Sequence, residues 1–220
     1  MPPRIAPDYE LAGDHMKMVE HDDGSMELTF NREASGRVCG TCTLCCTLVP
    51  VPVPLNKAAG QRCQYARFGK GCSIYADRPV ACATWACRWL IDETTAGLRR
   101  PDRSHYVIDM TLDFIVRQND DGSSAKVPVI QIWCDPAHRN AHRDPELRAW
   151  LVRQAERWRC AALVRFDNRT GIVLAAPPLC EDGAWHEFDD RVMMREEEHS
   201  PEEIEAVVGG MVDHAASAGA

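Results

Sequence analysis

From about residue 105 onward, apolar and polar positions fall into two clear periods. Ile108, Met110, Leu112, Phe114 and Val116 alternate with Asp109, Thr111 and Asp113, the two-residue period of a half-buried strand. The polar run 119–124 then leads to a second apolar stretch at 127–133, so the pair reads as a hairpin with a long loop. Asp144-Pro145 signals a helix start: an acid able to cap free N–H groups, followed by proline at the first helical position. Leu147, Trp150, Leu151, Ala155 and Trp158 recur at helical spacing and predict one apolar face. Two short strands, 161–166 and 172–176, flank a polar turn at 167–171. The predicted order is strand, strand, helix, strand, strand.

Upstream the pattern fades. Residues 1–36 are polar and punctuated by Gly and Asp, with one short strand expected at 26–30; they read as a flexible arm. Residues 37–100 lack an apolar stripe, as expected of a region organised by metal ligation rather than burial. Within it, prolines alternate with apolar residues from Leu48 to Pro54, an extended connector. Residues 101–199 form the expected core. Ser200-Pro201-Glu202-Glu203 is a capping box that opens a C-terminal helix and tail over 200–220. The predicted class is α+β: a metal-organised, cysteine-rich region packed on a small antiparallel sheet with one or two helices.

Charge and composition narrow the function. A net charge of -8 argues against a broad nucleic-acid footprint, and the run of arginines from Arg139 to Arg159 reads as a solvated helix face. No stretch is apolar enough to span a bilayer, and Met1 to Glu10 has no apolar segment of the secretory kind. The expectation is a reducing cytoplasm, where eleven cysteines call for an explanation other than disulfides.

Eight of those cysteines supply the explanation. Cys39, Cys42, Cys45 and Cys46 form a CxxCxxCC run, and Cys63, Cys72, Cys82 and Cys87 follow. Short spacers let a turning loop aim several sulfurs at one point about 2.3 Å away, as zinc requires. The CxxCxxC triplet is equally a way of holding irons of a [4Fe–4S] cluster. Eight thiols suffice for two four-thiolate sites, or for one site with spare ligands. Side chains of adjacent residues diverge on an extended backbone, so Cys45 and Cys46 are expected not to share one ion: they serve two neighbouring centres, or one is spare.

The run Cys39–Cys46, then Cys63, then Gly71-Cys72-Ser73-Ile74-Tyr75-Ala76-Asp77-Arg78-Pro79 with Cys82 and Cys87, resembles the CxxCxxCC cysteine-cluster family, described as zinc- or iron-chelating. The resemblance covers roughly residues 37–90 and implies metal binding, not a reaction. A related domain occurs in a flagellin lysine methylase, but the rest of this chain does not resemble that enzyme. Tyr75, Trp85 and Trp89 are expected to pack around the site.

The remaining candidates are weaker. Cys134, His138 and His142 are evenly spaced, but Pro136 breaks a continuous helix and the segment reads as a solvent-exposed linker. Cys160 and Cys180 sit among apolar residues and read as buried, inert thiols. Phosphate, nucleotide and hydrolase motifs are missing, and no catalytic residue can be named. The expectation is a metal-binding protein holding an iron–sulfur cluster or zinc in a redox, structural or accessory role. The alternatives are an iron–sulfur enzyme and a zinc-stapled module for a protein partner.

Overall fold

The computed structural model describes residues 16–20, 26–30, 36–118 and 122–189, and the fold is α+β. The helix expected from Ser200 lies outside the described residues, as does most of the N-terminal arm. Strands β1 (Met16–Glu20) and β2 (Met26–Phe30) pair antiparallel, the second at the position expected.

The cysteine-rich stretch follows as short pieces. These are α1 (Cys45–Leu48), a hairpin of β3 (Ala66–Arg67) and β4 (Gly71–Cys72), α2 (Val80–Thr84), α3 (Arg88–Ile91) and α4 (Pro101–Ser104). Helices of four or five residues cannot hold themselves, because nucleation costs more than one turn of hydrogen bonds returns. The connector after α1 folds back, with a bridge between Val51 and Lys57.

Next come β5 (Tyr106–Gln118), β6 (Ser124–Cys134), α5 (Pro145–Trp158), β7 (Ala161–Arg165), β8 (Gly171–Ala175) and β9 (His186–Asp189), the strands forming one sheet in that order. This sheet is mixed rather than antiparallel throughout. β6 and β7 run parallel because a helical crossover, α5, returns the chain in its original direction. The edge strand β9 escaped the sequence reading because its single apolar residue, Phe188, is 55% exposed.

Helix α5 begins as expected. The Asp144 carboxylate accepts the Glu146 N–H at 2.9 Å, and Pro145 occupies the first turn. Leu147, Trp150, Leu151 and Ala155 are buried against the sheet, a contribution of about 1.5–3 kcal/mol for each large side chain. Trp158, expected on that face, is instead 39% exposed beneath the Arg157 guanidinium. The outer part of β5 departs similarly, with Phe114 and Val116 exposed. There β5 and β6 project beyond β7, whose pairing with β6 starts only at Val129.

The sheet's two faces bury different partners. One carries Ile108, Ile132 and Val164 against α5, joined by Trp89 and Leu98 from the cysteine-rich stretch. The other carries Val107 and Trp133 against Leu48 and Val49, with Trp85, Cys45 and Cys87 packed alongside. A buried carboxylate fixes this second contact: Asp109 accepts N–H groups from Trp85 at 3.0 Å and Trp133 at 3.3 Å. The cysteine-rich stretch therefore packs on the sheet.

Candidate metal centres

Cys39 and Cys42 are brought together by a tight turn, in which the Cys42 N–H donates to the Cys39 carbonyl at 3.0 Å. Gly71, with φ +85°, lies flat on that turn; a Cβ there would stand 2.3 Å from the Gly40 carbonyl oxygen. Arg100 holds the turn from the other side. It pairs with Asp102 through two bonds of 2.6 and 2.7 Å and donates to Thr41 Oγ1 at 3.1 Å. Cys45 opens α1, and Cys87 occupies the N-cap position of α3. The result is a pocket lined by Cys39, Cys42, Cys45 and Cys87, closed by Trp89, Leu90 and Pro101.

Backbone N–H groups point at these sulfurs, from Leu44 and Asp102 to Cys42 and from Leu90 to Cys87. Such donors stabilise thiolate charge. Burial works the other way: it pushes Cys87 up to about 12 and raises Cys42. A bare thiolate is disfavoured in this pocket, so deprotonation there calls for a cation.

The other four sulfurs form a second group. The thiol of Cys82, at the middle of α2, feels Cys46, Cys63 and Cys72 as its charged neighbours. The Cys63 N–H donates to the Cys46 carbonyl at 2.8 Å, fastening the two segments together. Cys72 arrives on β4. Arg78 stacks over the Tyr75 ring at 4.2 Å, donates to the Cys82 carbonyl at 3.2 Å, and places its charge near the Cys82 thiol. Buried Lys57 lies close to Cys63, Cys46, Cys45 and Cys82, donating to the carbonyls of Thr47, Val49 and Ala58. Its ammonium supplies positive charge beside a set of sulfurs that would be anionic as ligands.

Cys45 and Cys46 thus fall into different quartets, Cys39/Cys42/Cys45/Cys87 and Cys46/Cys63/Cys72/Cys82. The sequence argument assumed an extended backbone, whereas both residues sit in α1. Consecutive helical side chains diverge by about 100°, which separates the sulfurs nearly as well. The quartets still touch, since the two thiols are hydrogen-bonded to each other. That bond and nearby Lys57 lower Cys46, while hydrogen bonds with Cys39 and Cys46 together with burial raise Cys45.

Four cysteine thiolates suit either kind of metal centre. Among the described residues, three or more ligand atoms within 4.8 Å of one another occur in two places, and neither includes any of these eight cysteines. Sulfurs on one tetrahedral zinc stand only about 3.8 Å apart, given the 2.3 Å Zn–S bond. Within the first quartet Cys45 is already hydrogen-bonded to Cys39. A four-iron cluster instead takes its thiolates one to each iron.

The remaining expectations divide. Cys160 is buried as expected, donating to the Gln154 carbonyl. Cys180 is only half-buried, and its sulfur lies near Asp182 and His186. The segment from Cys134 to His142 is exposed over 136–140, as expected, but its ends are not: Cys134 and His142 are buried in or against the core. Two tight 3-10 turns, Pro136–His138 and Ala141–Arg143, replace the helix that Pro136 forbids. Sequence reasoning missed Lys57, Arg100 and Asp102. Each belongs to the sites through its fold position, with no local motif to announce it.

Searches of protein-family models, of curated proteins and of solved structures find no match to this chain.

Proposed function

We propose that this chain is an iron–sulfur protein, with Cys39, Cys42, Cys45 and Cys87 holding one cluster and Cys46, Cys63, Cys72 and Cys82 holding a second. The observation that carries the reading is the grouping of eight thiols into two abutting quartets, the first of which contains the CxxCxxC triplet Cys39, Cys42 and Cys45. Clusters bound there would supply one-electron transfer. The chain's own residues would contribute N–H donors from Leu44, Leu90 and Asp102, cations at Lys57 and Arg78, and exclusion of water by Trp89 and Pro101. The resemblance of residues 37–90 to the CxxCxxCC family supports metal binding without choosing the metal.

A cytoplasmic setting belongs to the same proposal, since all eleven cysteines are free thiols. No helix of the described residues is long and apolar enough to cross a membrane. The test is anaerobic purification followed by iron, sulfide and zinc analysis and a visible spectrum. About eight iron and eight sulfide per chain are expected for two four-iron clusters. Two zinc ions in a colourless protein would replace the redox role with a structural one, and a metal-free folded protein would overturn both.

A further inference from the structure

The pairing of β5 with β6 places Tyr106 opposite Cys134, so His105 and Asp135 face each other just beyond the ladder. The Asp135 N–H donates to the His105 carbonyl at 2.9 Å. His105 closes α4 with φ 63°, its own N–H on the Pro101 carbonyl at 2.8 Å. Asp135 opens the turn that carries His138, and one carboxylate oxygen is committed to the Ala137 N–H at 2.9 Å. The other oxygen is turned to the histidines, 3.3 Å from His138 Nδ1 and 4.0 Å from His105 Nδ1. The two rings stack with centroids 3.6 Å apart and planes 10° from parallel.

We infer that His105, Asp135 and His138 form a binding site for a divalent first-row transition ion, separate from the cysteines. Their ligand atoms all lie within 4.8 Å of one another. Two imidazoles and one carboxylate are a donor set of zinc and ferrous sites. A hydrogen bond from His138 to Asp135 accounts for that pair alone. It leaves His105 unexplained, because 4.0 Å is too long for such a bond. An ion between the three groups gives both rings and the free oxygen a common partner. Seating it about 2.1 Å from each nitrogen turns the rings out of their parallel stack. The side chains are 38%, 26% and 48% exposed, so the ion can enter from solvent and keep water as further ligands. Helix α4 joins this site to the thiol pocket, since Pro101 lines the one and His105 ends the helix at the other.

The experiment is a zinc titration of the full chain, with its cysteine sites filled as isolated, followed through the ring-nitrogen NMR signals of its histidines. The Nδ1 signals of His105 and His138 are expected to shift together. His138→Ala should weaken that zinc binding by about ten-fold or more, and so should Asp135→Asn. His105→Asn should do likewise, with a residue that tolerates the left-handed backbone. Metal bound by the cysteines should stay unchanged in all three variants. The inference is overturned if the two histidines do not move up to millimolar zinc, or if Asp135→Asn leaves their shift intact. Because the signals belong to histidine, failure of the iron–sulfur proposal would not alter this result.

Discussion

Cys45 and Cys46 are consecutive in sequence and hydrogen-bonded through their thiols, yet they face different groups of cysteines. Residue Cys45 shares a pocket with Cys39, Cys42 and Cys87, while Cys46 neighbours Cys82 and is fastened to Cys63. Replacing either should therefore empty one centre and spare the other. A serine hydroxyl is a poor substitute because it stays protonated at neutral pH. Metal content in Cys45→Ser should fall by about half and match Cys87→Ser, and Cys46→Ser should match Cys63→Ser. Equal and complete loss in all four variants would mean a single centre. Cys160→Ser, deep in the sheet's core, should keep its full complement.

Asp109 links the cysteine-rich stretch to the sheet through the indoles of Trp85 and Trp133 and the backbone carbonyl that accepts Arg88. Asp109→Ala leaves two indole N–H groups without their acceptor. The expected loss is about 2–4 kcal/mol of unfolding free energy, read from denaturant midpoints. A loss below about 0.5 kcal/mol, within the range of ordinary surface substitutions, would show that water replaces the carboxylate at no cost.

The sheet was legible in the sequence where burial imposes a period: β5, β6, α5, β7 and β8 all lie where alternation and the Asp144-Pro145 cap place them. Helices α1 to α4 were not, because four or five residues are too few to show a helical period and are set by tertiary contacts. The eight cysteines were legible as a cluster of candidate ligands. The expectation that Cys45 and Cys46 do not share an ion rested on an extended backbone, since nothing local marks 45–48 as helical. The His105–Asp135–His138 cluster was invisible, being created by strand register rather than by spacing.

His142 ties pH to stability. Its ring Nδ1–H donates to the Arg139 carbonyl, 2.8 Å away, and burial holds its pKa below the ordinary 6.5. The unfolded chain therefore binds a proton near pH 6.5 that the folded chain refuses. Stability is full above 6.5 and falls as pH drops toward the folded value. His142→Gln should flatten the stability profile in that window. Glu187, held low by Arg143, gives a separate loss beginning below 4.5, which the same variant should retain. An unchanged slope just below pH 6.5 in His142→Gln would assign the effect to another group.

Gly71 tests how closely the β3–β4 hairpin must approach the Cys39–Cys42 turn. Alanine there meets the Gly40 carbonyl at 2.3 Å and must also hold φ +85°. Gly71→Ala should cost roughly 2 kcal/mol or more and displace Cys72. Metal loss should fall first on the Cys46 quartet, which contains Cys72, and the first quartet should follow only as the turn shifts. Gly69→Ala is the control. It too has positive φ, but nothing lies within 4 Å of its Cβ, so it should cost about 1 kcal/mol and leave metal content intact. Equal metal loss in both variants would place the cause in backbone strain rather than in contact.

Removing the metal should divide the chain into a part that loosens and a part that does not. Between residues 37 and 100 the helices are one turn long, and the quartets tie distant loops that have little local burial to order them. The sheet and α5, by contrast, bury Trp150, Ile132 and Val164 completely without any help from the cysteines. After chelation under reducing conditions, trypsin should cut first at the exposed Arg62, Arg67 and Lys70. Arg165, held within the sheet on β7, should stay uncut. The contacts of Trp85 and Arg88 with Asp109 should keep 85–89 protected longer than 62–70, giving an ordered sequence of cleavage. Protection of 62–70 equal to that of the sheet in the stripped protein would mean that packing, not metal, holds this region, and the quartets would then be ordinary buried thiols.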